Sequence, residues 1–426
     1  MRKIITNRAL ACLFCSWLSV AVTAQSPNVT HAKALTREQW RQDLQYLAKE
    51  LPRRHKNAFH TVSKDQLERA VAALDAAIPS LAEHEILVGL RRIVAMIGDA
   101  HTALAPPENF HRYPLTLYRF GDDVRVVRTT SNYKLALGAR VVGVGSLSIA
   151  EVTAKVDSLI PHENEQFVRH IDVSLLPFAE VLHALGIVTD LQQAQWTFEN
   201  ANGERFSLQL EAIPHDAKVD WLSTLRAVPL HRQRLNELMW FTPLPDSQTV
   251  YLNLRVYPDA GTFKRVAEDF WKQVDGSQPK RLVIDVRQSA GGDFIKFQTY
   301  LLKELKRRTV FRRPGSLYVI IGRGTISAAM MNVIELRKEL NAMLVGEPTG
   351  SKPNSYSEND ELTLPNSRLR VSYSTRYYRL QDQDTPSLMP DKLIEPAWET
   401  YPQGRDPVME WILAQPLSRD PRNDTN

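Results

Sequence analysis

From residue 248 onward the chain alternates between short, continuously apolar runs and amphipathic stretches, and no other feature constrains the fold as strongly. "TVYLNLRVY", "RLVIDV", "LYVIIG" and "AMLVGE" are the apolar runs. Between them lie "GTFKRVAEDFWKQVDG", "DFIKFQTYLLKELKRR" and "SAAMMNVIELRKEL". In the first of these, Phe263, Val266, Phe270, Trp271 and Val274 share one helical face. Strands with no polar alternation are buried on both sides, which predicts a parallel sheet covered by helices. Ligands of such sheets bind beyond the carboxyl ends of the strands. Three polar or glycine-rich segments fall at those ends: "RQSAGGD", "GRGTIS" and "EPTGSKPNSY". Further on, "ELTLPNSRLRVSYST" reads as a hairpin turning at Pro365-Asn366-Ser367.

Upstream, residues 36 to 97 read as helical. Thr36 is a candidate N-cap with Glu38 close behind, and Trp40, Leu44 and Leu47 share a face. Ile86, Leu87, Leu90, Ile93, Val94 and Ile97 keep helical spacing until Gly98. Residues 114 to 175 change character. A hairpin is expected around Gly121-Asp122-Asp123, and "LGARVVGVGSLSIAEVTAKVDSLI" reads as strand, turn, strand and helix. Between 176 and 246 the pattern is mixed, with one more hairpin in "AQWTFENANGERFSLQLEAI".

The first 24 residues stand apart. Arg2, Lys3 and Arg8 precede a mostly apolar run, Ala9 to Ala24, which is shorter than the roughly 20 residues of a spanning helix. "AVTA" offers small residues before a cleavage point, so a secretory signal peptide over 1–24 is expected, with an uncleaved anchor as the alternative. Both cysteines, Cys12 and Cys15, lie inside it. The mature chain would then have no disulfide, cysteine–metal site or cysteine nucleophile. With those three basic residues set aside, 53 Lys and Arg become 50 against 48 Asp and Glu. No polybasic block remains, so nucleic acid is not an expected partner. No H-E-x-x-H string occurs, nor a G-x-G-x-x-G after a strand, and no metal or organic cofactor is expected.

Four segments carry candidate chemistry. Ser327 sits between a buried strand and a helix. It is either a nucleophile projecting past the sheet edge or simply the helix cap, a position serine favours. Gly291-Gly292 follow another buried strand and allow the close backbone approach of an oxyanion donor, or form a plain turn. Lys352 lies in a loop at a sheet end, where partial desolvation could make it a base; a surface lysine is the plainer reading. Asp99 and His101, in "IGDAHTAL", follow a helix, and an imidazole is the usual base for serine.

Taken together, these segments resemble the tail-specific, carboxyl-terminal-processing serine peptidases of the S41 type. "LVIDVRQSAGGD" is similar to their D-[LV]-R-x-x-x-G-G element, "GTISAAM" to T-x-S-A-A and "VGEPTGSKPN" to G-E-x-T-G-x-K. "LMPDKLIEP" followed by "GRDPVMEWIL" resembles their P-D and G-x-D-P ending. "IGDAHTAL" looks like the D-x-H-T element of the branch with tricorn-like and interphotoreceptor-retinoid-binding-protein-like members. The resemblance spans about residues 85 to 415.

It implies Ser327 as nucleophile, with the Ala328 N–H and a glycine of Gly291-Gly292 as the oxyanion hole. His101 matches the base of the triad branch. Asp384 is the nearest match to its acid, and Asp382 and Glu358 are further candidates. Lys352 matches the base of the Ser–Lys branch, but Tyr356 stands where that branch carries a supporting glutamine, so His101 is the expected base. The implied fold is an α/β catalytic core, a ClpP/crotonase-like parallel sheet with covering helices. A helical N-terminal domain and a small PDZ-like β-rich module are expected to accompany it. The expected partition is signal peptide 1–24, helical domain 25–113, PDZ-like module 114–175, connector 176–246, catalytic domain 247–415 and disordered tail 416–426. The implied activity is exported, periplasmic or secreted, cleavage of polypeptides through an acyl-enzyme. A non-catalytic binder of apolar ligands or peptides on the same fold and a small-acyl esterase are the rivals.

Overall fold

The computed structural model describes residues 34–104 and 109–417. The expected signal peptide lies outside the described residues, as does the expected tail beyond its first two positions. Among the described residues, no helix is long and apolar enough to cross a membrane.

Three helices open the described chain: α1 (Arg37–Arg54), α2 (Lys64–Ala77) and α3 (Glu83–Ala95). Thr36 caps α1 through a capping box. Its hydroxyl accepts the Gln39 N–H, and the Gln39 side chain accepts the Thr36 N–H, so the box partner is Gln39 and not Glu38. The apolar stripes read from the sequence are buried, with Leu44, Leu47, Ile86 and Leu90 inaccessible.

An antiparallel sheet follows. Its strands are β1 (Leu115–Phe120), β2 (Asp123–Thr129), β3 (Arg140–Val144), β4 (Gln193–Glu199) and β5 (Arg205–Glu211), paired in that order, with two short edge pairings besides. Helices α4 (Ile149–Asp157) and α5 (Glu165–Leu175) come between β3 and β4. The sheet therefore continues past residue 175, because β4 pairs with β3. Apolar residues of α1–α3 and of this sheet form one continuous core, which also takes in Leu362, Leu364, Val371 and Tyr373 from much later in the chain.

The second core is built on a six-stranded sheet. Strands β6 (Met239–Leu244), β7 (Thr249–Leu254), β8 (Arg281–Asp285), β9 (Leu317–Ile321) and β10 (Met343–Gly346) lie side by side in that order. A two-residue strand, Lys392–Leu393, closes the edge beside β10. β6 runs antiparallel to β7, and all other pairings are parallel. Both faces are covered. Leu252, Ile284, Val319 and Leu344 pack on α6 (Ala260–Ser277), on the helical run 294–307 and on α7 (Ala328–Leu340). Tyr251, Val283, Ile320 and Val345 pack on the other side against α8 (Pro407–Ala414). This two-sided burial is the reason these strands show no polar alternation. Burying side chains such as Phe263 and Phe270 of α6 contributes about 2 kcal/mol each.

Between β10 and Lys392, a long hairpin, β11 (Asn354–Thr363) and β12 (Arg370–Arg379), leaves the sheet and reaches α1. Asp43 of α1 accepts the backbone N–H groups of Asn366 and Ser367 at its tip. The hairpin turn falls where the sequence placed it, but β11 begins at Asn354, inside the stretch read as a loop. Its buried residues there are Asn354, Ser355 and Ser357, polar positions that carry no apolar alternation.

Candidate active site

Ser327 ends the connection from β9 to α7. Thr325 pins that connection: its hydroxyl donates to the Val286 carbonyl at 2.8 Å and accepts the Gly322 N–H at 3.0 Å. The Ile326 N–H donates to the Ser289 carbonyl at 3.0 Å, so the loops after β8 and β9 run side by side. Held at both flanks, Ser327 has φ 54° and ψ −132°. A non-glycine residue there carries strain on the order of 1–3 kcal/mol, which persists only where surrounding contacts enforce it. Its N–H donates to the Ser351 hydroxyl at 3.1 Å. Its side chain makes no cap hydrogen bond to α7. The hydroxyl therefore does not do a cap's work and points elsewhere.

It points at His101. The Ser327 Oγ lies 3.0 Å from His101 Nε2, and the Ser357 hydroxyl lies 3.3 Å from the same nitrogen. His101 stands on the turn after α3, and that turn is stitched to β12. Ala103 N–H donates to the Ser372 carbonyl, Ser372 N–H to the Ala103 carbonyl, and the Ser372 hydroxyl to the His101 carbonyl. Beneath it, Asp99 is fully buried. Its carboxylate accepts the His101 N–H at 3.0 Å, the Ser374 hydroxyl at 2.6 Å and His55 Nε2–H at 2.8 Å. Burial alone would raise the Asp99 pKa, but the hydrogen bonds from His55 and Ser374 outweigh it and hold the group below its ordinary value. The His101 pKa is lowered, chiefly by burial, against the opposing pull of Asp99 and of the main chain at Tyr356. A neutral imidazole facing a hydroxyl is the protonation state that a general base requires.

On the far side of Ser327, the loop after β8 brings Gly291 (φ +83°) and Gly292 (φ +144°) against the start of α7. A Cβ on Gly291 would stand 2.8 Å from the Ala328 N, an approach that only glycine permits. Ala328 opens α7, so its N–H has no partner within the helix. Gly292 and Ala328 line, together with Ser327, His101 and Ser357, one small cleft of about 70 Å³. Phe294, Met331, Glu358, Asn359 and Tyr378 complete its wall. Of the two candidate glycines, Gly292 faces the cleft and Gly291 supplies the close packing.

The remaining sequence candidates are placed differently. Lys352 Nζ donates to Asp384 Oδ2 at 2.9 Å, so the alternative base and the expected acid are paired with each other. Among the described residues, no hydrogen bond joins Lys352 to Ser327, and neither Lys352 nor Asp384 lines the cleft. Glu358 does line it, but its carboxylate is engaged by Arg376 and Tyr378. Asp382 contributes a backbone carbonyl to Arg379. Tyr356, at the position of the supporting glutamine, turns toward the N-terminal helices. Its hydroxyl accepts from Asn57 at 3.1 Å, and its ring lies 4.3 Å from that of His60.

The Asp-x-Arg of "LVIDVRQSAGGD" holds the core together. Arg287 ion-pairs with Asp285 at 2.9 Å and with Asp406, the N-cap of α8, at 3.0 Å. Burial opposes the charge on Asp406, but Arg287 and His231 outweigh it and hold its carboxyl far below the usual range. The motif thus clamps the C-terminal helix to the strand that carries Gly291-Gly292.

Ser351, Ser357 and Ser374 were not singled out in the sequence, since isolated serines in polar runs carry no local signal. Glu163 was missed as well. One carboxylate oxygen each of Asp99 and Glu163 and one ring nitrogen of His101 lie within 4.8 Å of one another.

Fold and site together define an α/β protein that presents a serine–imidazole pair at the carboxyl edge of a mostly parallel, helix-covered sheet. Among solved structures, mature CPAF complexed with lactacystin shares this fold. The TM-score is 0.61 at 13% identity, covering 89% of this chain and 97% of that one. Mature CPAF without that ligand gives 0.60 at 13%, over 89% and 96%. A serine-to-alanine mutant of CPAF gives 0.60 at 11%, over 91% and 100%. At such identities the similarity is one of fold. No protein-family model matches the chain, and no curated protein matches it in sequence.

Proposed function

We propose that the chain is a serine peptidase of the S41 type that cleaves polypeptides through a Ser327 acyl-enzyme. One observation carries the reading: a strained Ser327 presents its hydroxyl 3.0 Å from the Nε2 of a half-buried imidazole, beside the first N–H of a helix. His101 Nε2 takes the Ser327 proton as Oγ attacks the carbonyl carbon. Negative charge develops on the carbonyl oxygen, where the Ala328 and Gly292 N–H groups stabilise it. The imidazolium then gives its proton to the departing amine. Water attacks the resulting ester, again through His101, and restores the hydroxyl. Export through the N-terminal segment, to the periplasm or the medium, belongs to this proposal.

The binder reading requires no base within reach of Ser327, and the 3.0 Å contact speaks against it. The cleft's small volume favours, as a second reading, an esterase for short acyl groups. Purified wild type and Ser327→Ala, treated with a fluorophosphonate and with a mixture of denatured polypeptides, test both. Labelling at Ser327 with peptide cleavage, both absent in the variant, supports the peptidase. Turnover of a nitrophenyl ester without any peptide cleavage supports the esterase. Labelling at another residue removes Ser327 as the nucleophile.

A further inference from the structure

We propose that Glu163, and not Asp384, is the acid that positions the His101 imidazole, acting on its Nδ1 side. The inference rests on the reading of His101 as base and adds the identity of the group behind it. A neutral imidazole that accepts the Ser327 hydroxyl proton at Nε2 must carry its own hydrogen on Nδ1. That Nδ1 is sealed from solvent and has no hydrogen-bond partner. A buried donor without an acceptor is costly, which marks the place where a partner belongs.

Both Asp99 oxygens are already engaged, Oδ1 by the His101 N–H and Ser374, Oδ2 by His55. Asp384 is committed to Lys352. The main chain at Tyr356 offers the ring a weak hydrogen bond that favours its charged form, but it leaves Nδ1 without an acceptor at ordinary distance and angle. Glu163 remains. Its Oε1 accepts the Ala100 N–H at 3.3 Å, and its Oε2 is as sealed and as unpartnered as Nδ1. A Glu163 carboxylate oxygen and a His101 ring nitrogen lie within 4.8 Å of each other, and a small rotation of either side chain, or one bridging water, would bring the carboxyl group to Nδ1.

The chain delivers Glu163 to this place deliberately. The next residue, Asn164, caps α5 through its carbonyl oxygen and donates its amide to the Thr349 and Pro386 carbonyls and the Ser387 hydroxyl. The loop before α5 is thereby fixed to the loops after β10 and β12. Charged groups facing Glu163 are Asp99, whose anion opposes a second negative charge, and Lys352, which favours one. Burial first, then Asp99, push its carboxyl up to about 8, against the pull of the Ala100 N–H and Lys352. Glu163 is therefore mostly neutral at pH 7 and ionises just above it, and the carboxylate stabilises the imidazolium better than the acid does.

The test uses the full-length protein, Glu163→Gln, Glu163→Ala and Asp384→Asn, with two readouts. The first is the rate of fluorophosphonate labelling of Ser327 between pH 5 and 9.5. Wild type and Asp384→Asn are expected to show a rise near pH 8. Glu163→Gln should lack that rise and, above pH 8, label about tenfold or more slowly. The second readout is nitrogen-15 NMR of the histidine rings, which reports the tautomer without any reaction. His101 is expected as the Nδ1–H form in wild type and Glu163→Gln, and as a mixture in Glu163→Ala. An unchanged pH profile in Glu163→Gln, or an unchanged tautomer in a folded Glu163→Ala, overturns the proposal. Failure of wild type to label at Ser327 would instead overturn the peptidase reading, and the NMR experiment would still decide the role of Glu163.

Discussion

The two halves of the site are built in opposite ways. The half that carries the proposed nucleophile is made by neighbours. Ser327 and Gly291-Gly292 sit on adjacent strand ends of one parallel sheet, and Thr325 and Ile326 hydrogen-bond across a single loop-to-loop seam. The half that carries the proposed base is made by strangers. Asp99, which holds the His101 backbone, is itself held by His55, 44 residues earlier, and by Ser374, 275 residues later. Geometry on the first side follows from a local strand–turn–helix. On the second it exists only once α1–α3, the hairpin and the core have all docked. Damage to one half should therefore leave the other half's signature intact.

The largest effect that tests this division is at the base. His101→Ala should lower kcat/KM for a nitrophenyl ester by roughly 10²- to 10⁴-fold, the usual worth of a general base. The strained Ser327 backbone should persist, visible as an unchanged crystal conformation at 322–328. The pH profile sharpens the point. A histidine whose pKa is lowered by burial stays neutral as pH falls through the ordinary value of about 6.5, and protonates only below it. Activity should thus be kept at pH 6.5 and lost only at lower pH. Folding follows the same sign: below pH 6.5 the unfolded chain binds a proton at this position that the folded chain resists, so stability falls toward acid. In Glu163→Gln, which lacks the alkaline step near pH 8, a half-loss of activity at or above pH 6.5 would mean that the His101 pKa is not lowered.

The complementary lesion is Gly291→Val. Its side chain would enter the space at the Ala328 N, 2.8 Å from the Cβ position, on a backbone at φ +83° that a branched residue resists. If the Ala328 N–H is an oxyanion donor, as proposed, its obstruction should lower kcat by about 10²- to 10³-fold. Strain at this φ should lower stability by about 1–3 kcal/mol, read as a shift in urea midpoint. The His101 NMR titration should not move. A shifted titration would show that the halves are coupled more tightly than their hydrogen bonds indicate.

The same division explains what was legible in the sequence. Two-sided burial writes strands β7 to β10 as unbroken apolar runs, and a strand–turn–helix writes Ser327 and Gly291-Gly292 into two short strings. His101 was readable through its own motif, but the site's depth was not. β11 was hidden because Asn354, Ser355 and Ser357 are buried polar residues in a polar run. Nothing in "PHENEQ" marks Glu163, which reaches the site by a contact spanning 63 residues. The motif acid, Asp384, was readable as an acid, yet its partner is decided by where Lys352 ends up.

That pair supplies the smallest expected effect and the finest cut. Asp384 is largely exposed and Lys352 a quarter exposed, so their ion pair contributes at most about 1 kcal/mol and weakens with salt. Lys352→Ala should change the urea midpoint by no more than that. If His101 is the base, it should leave kcat within a few-fold, the residual change reflecting one positive charge removed from beside Glu163. Removing that charge favours the protonated acid, so the alkaline rise in activity should move to higher pH. A Lys352→Ala variant that loses activity while His101→Ala keeps it would reverse the assignment and make the ammonium the base. The comparison of the halves would then fail at its root, because the whole catalytic pair would lie within the local seam of the parallel sheet.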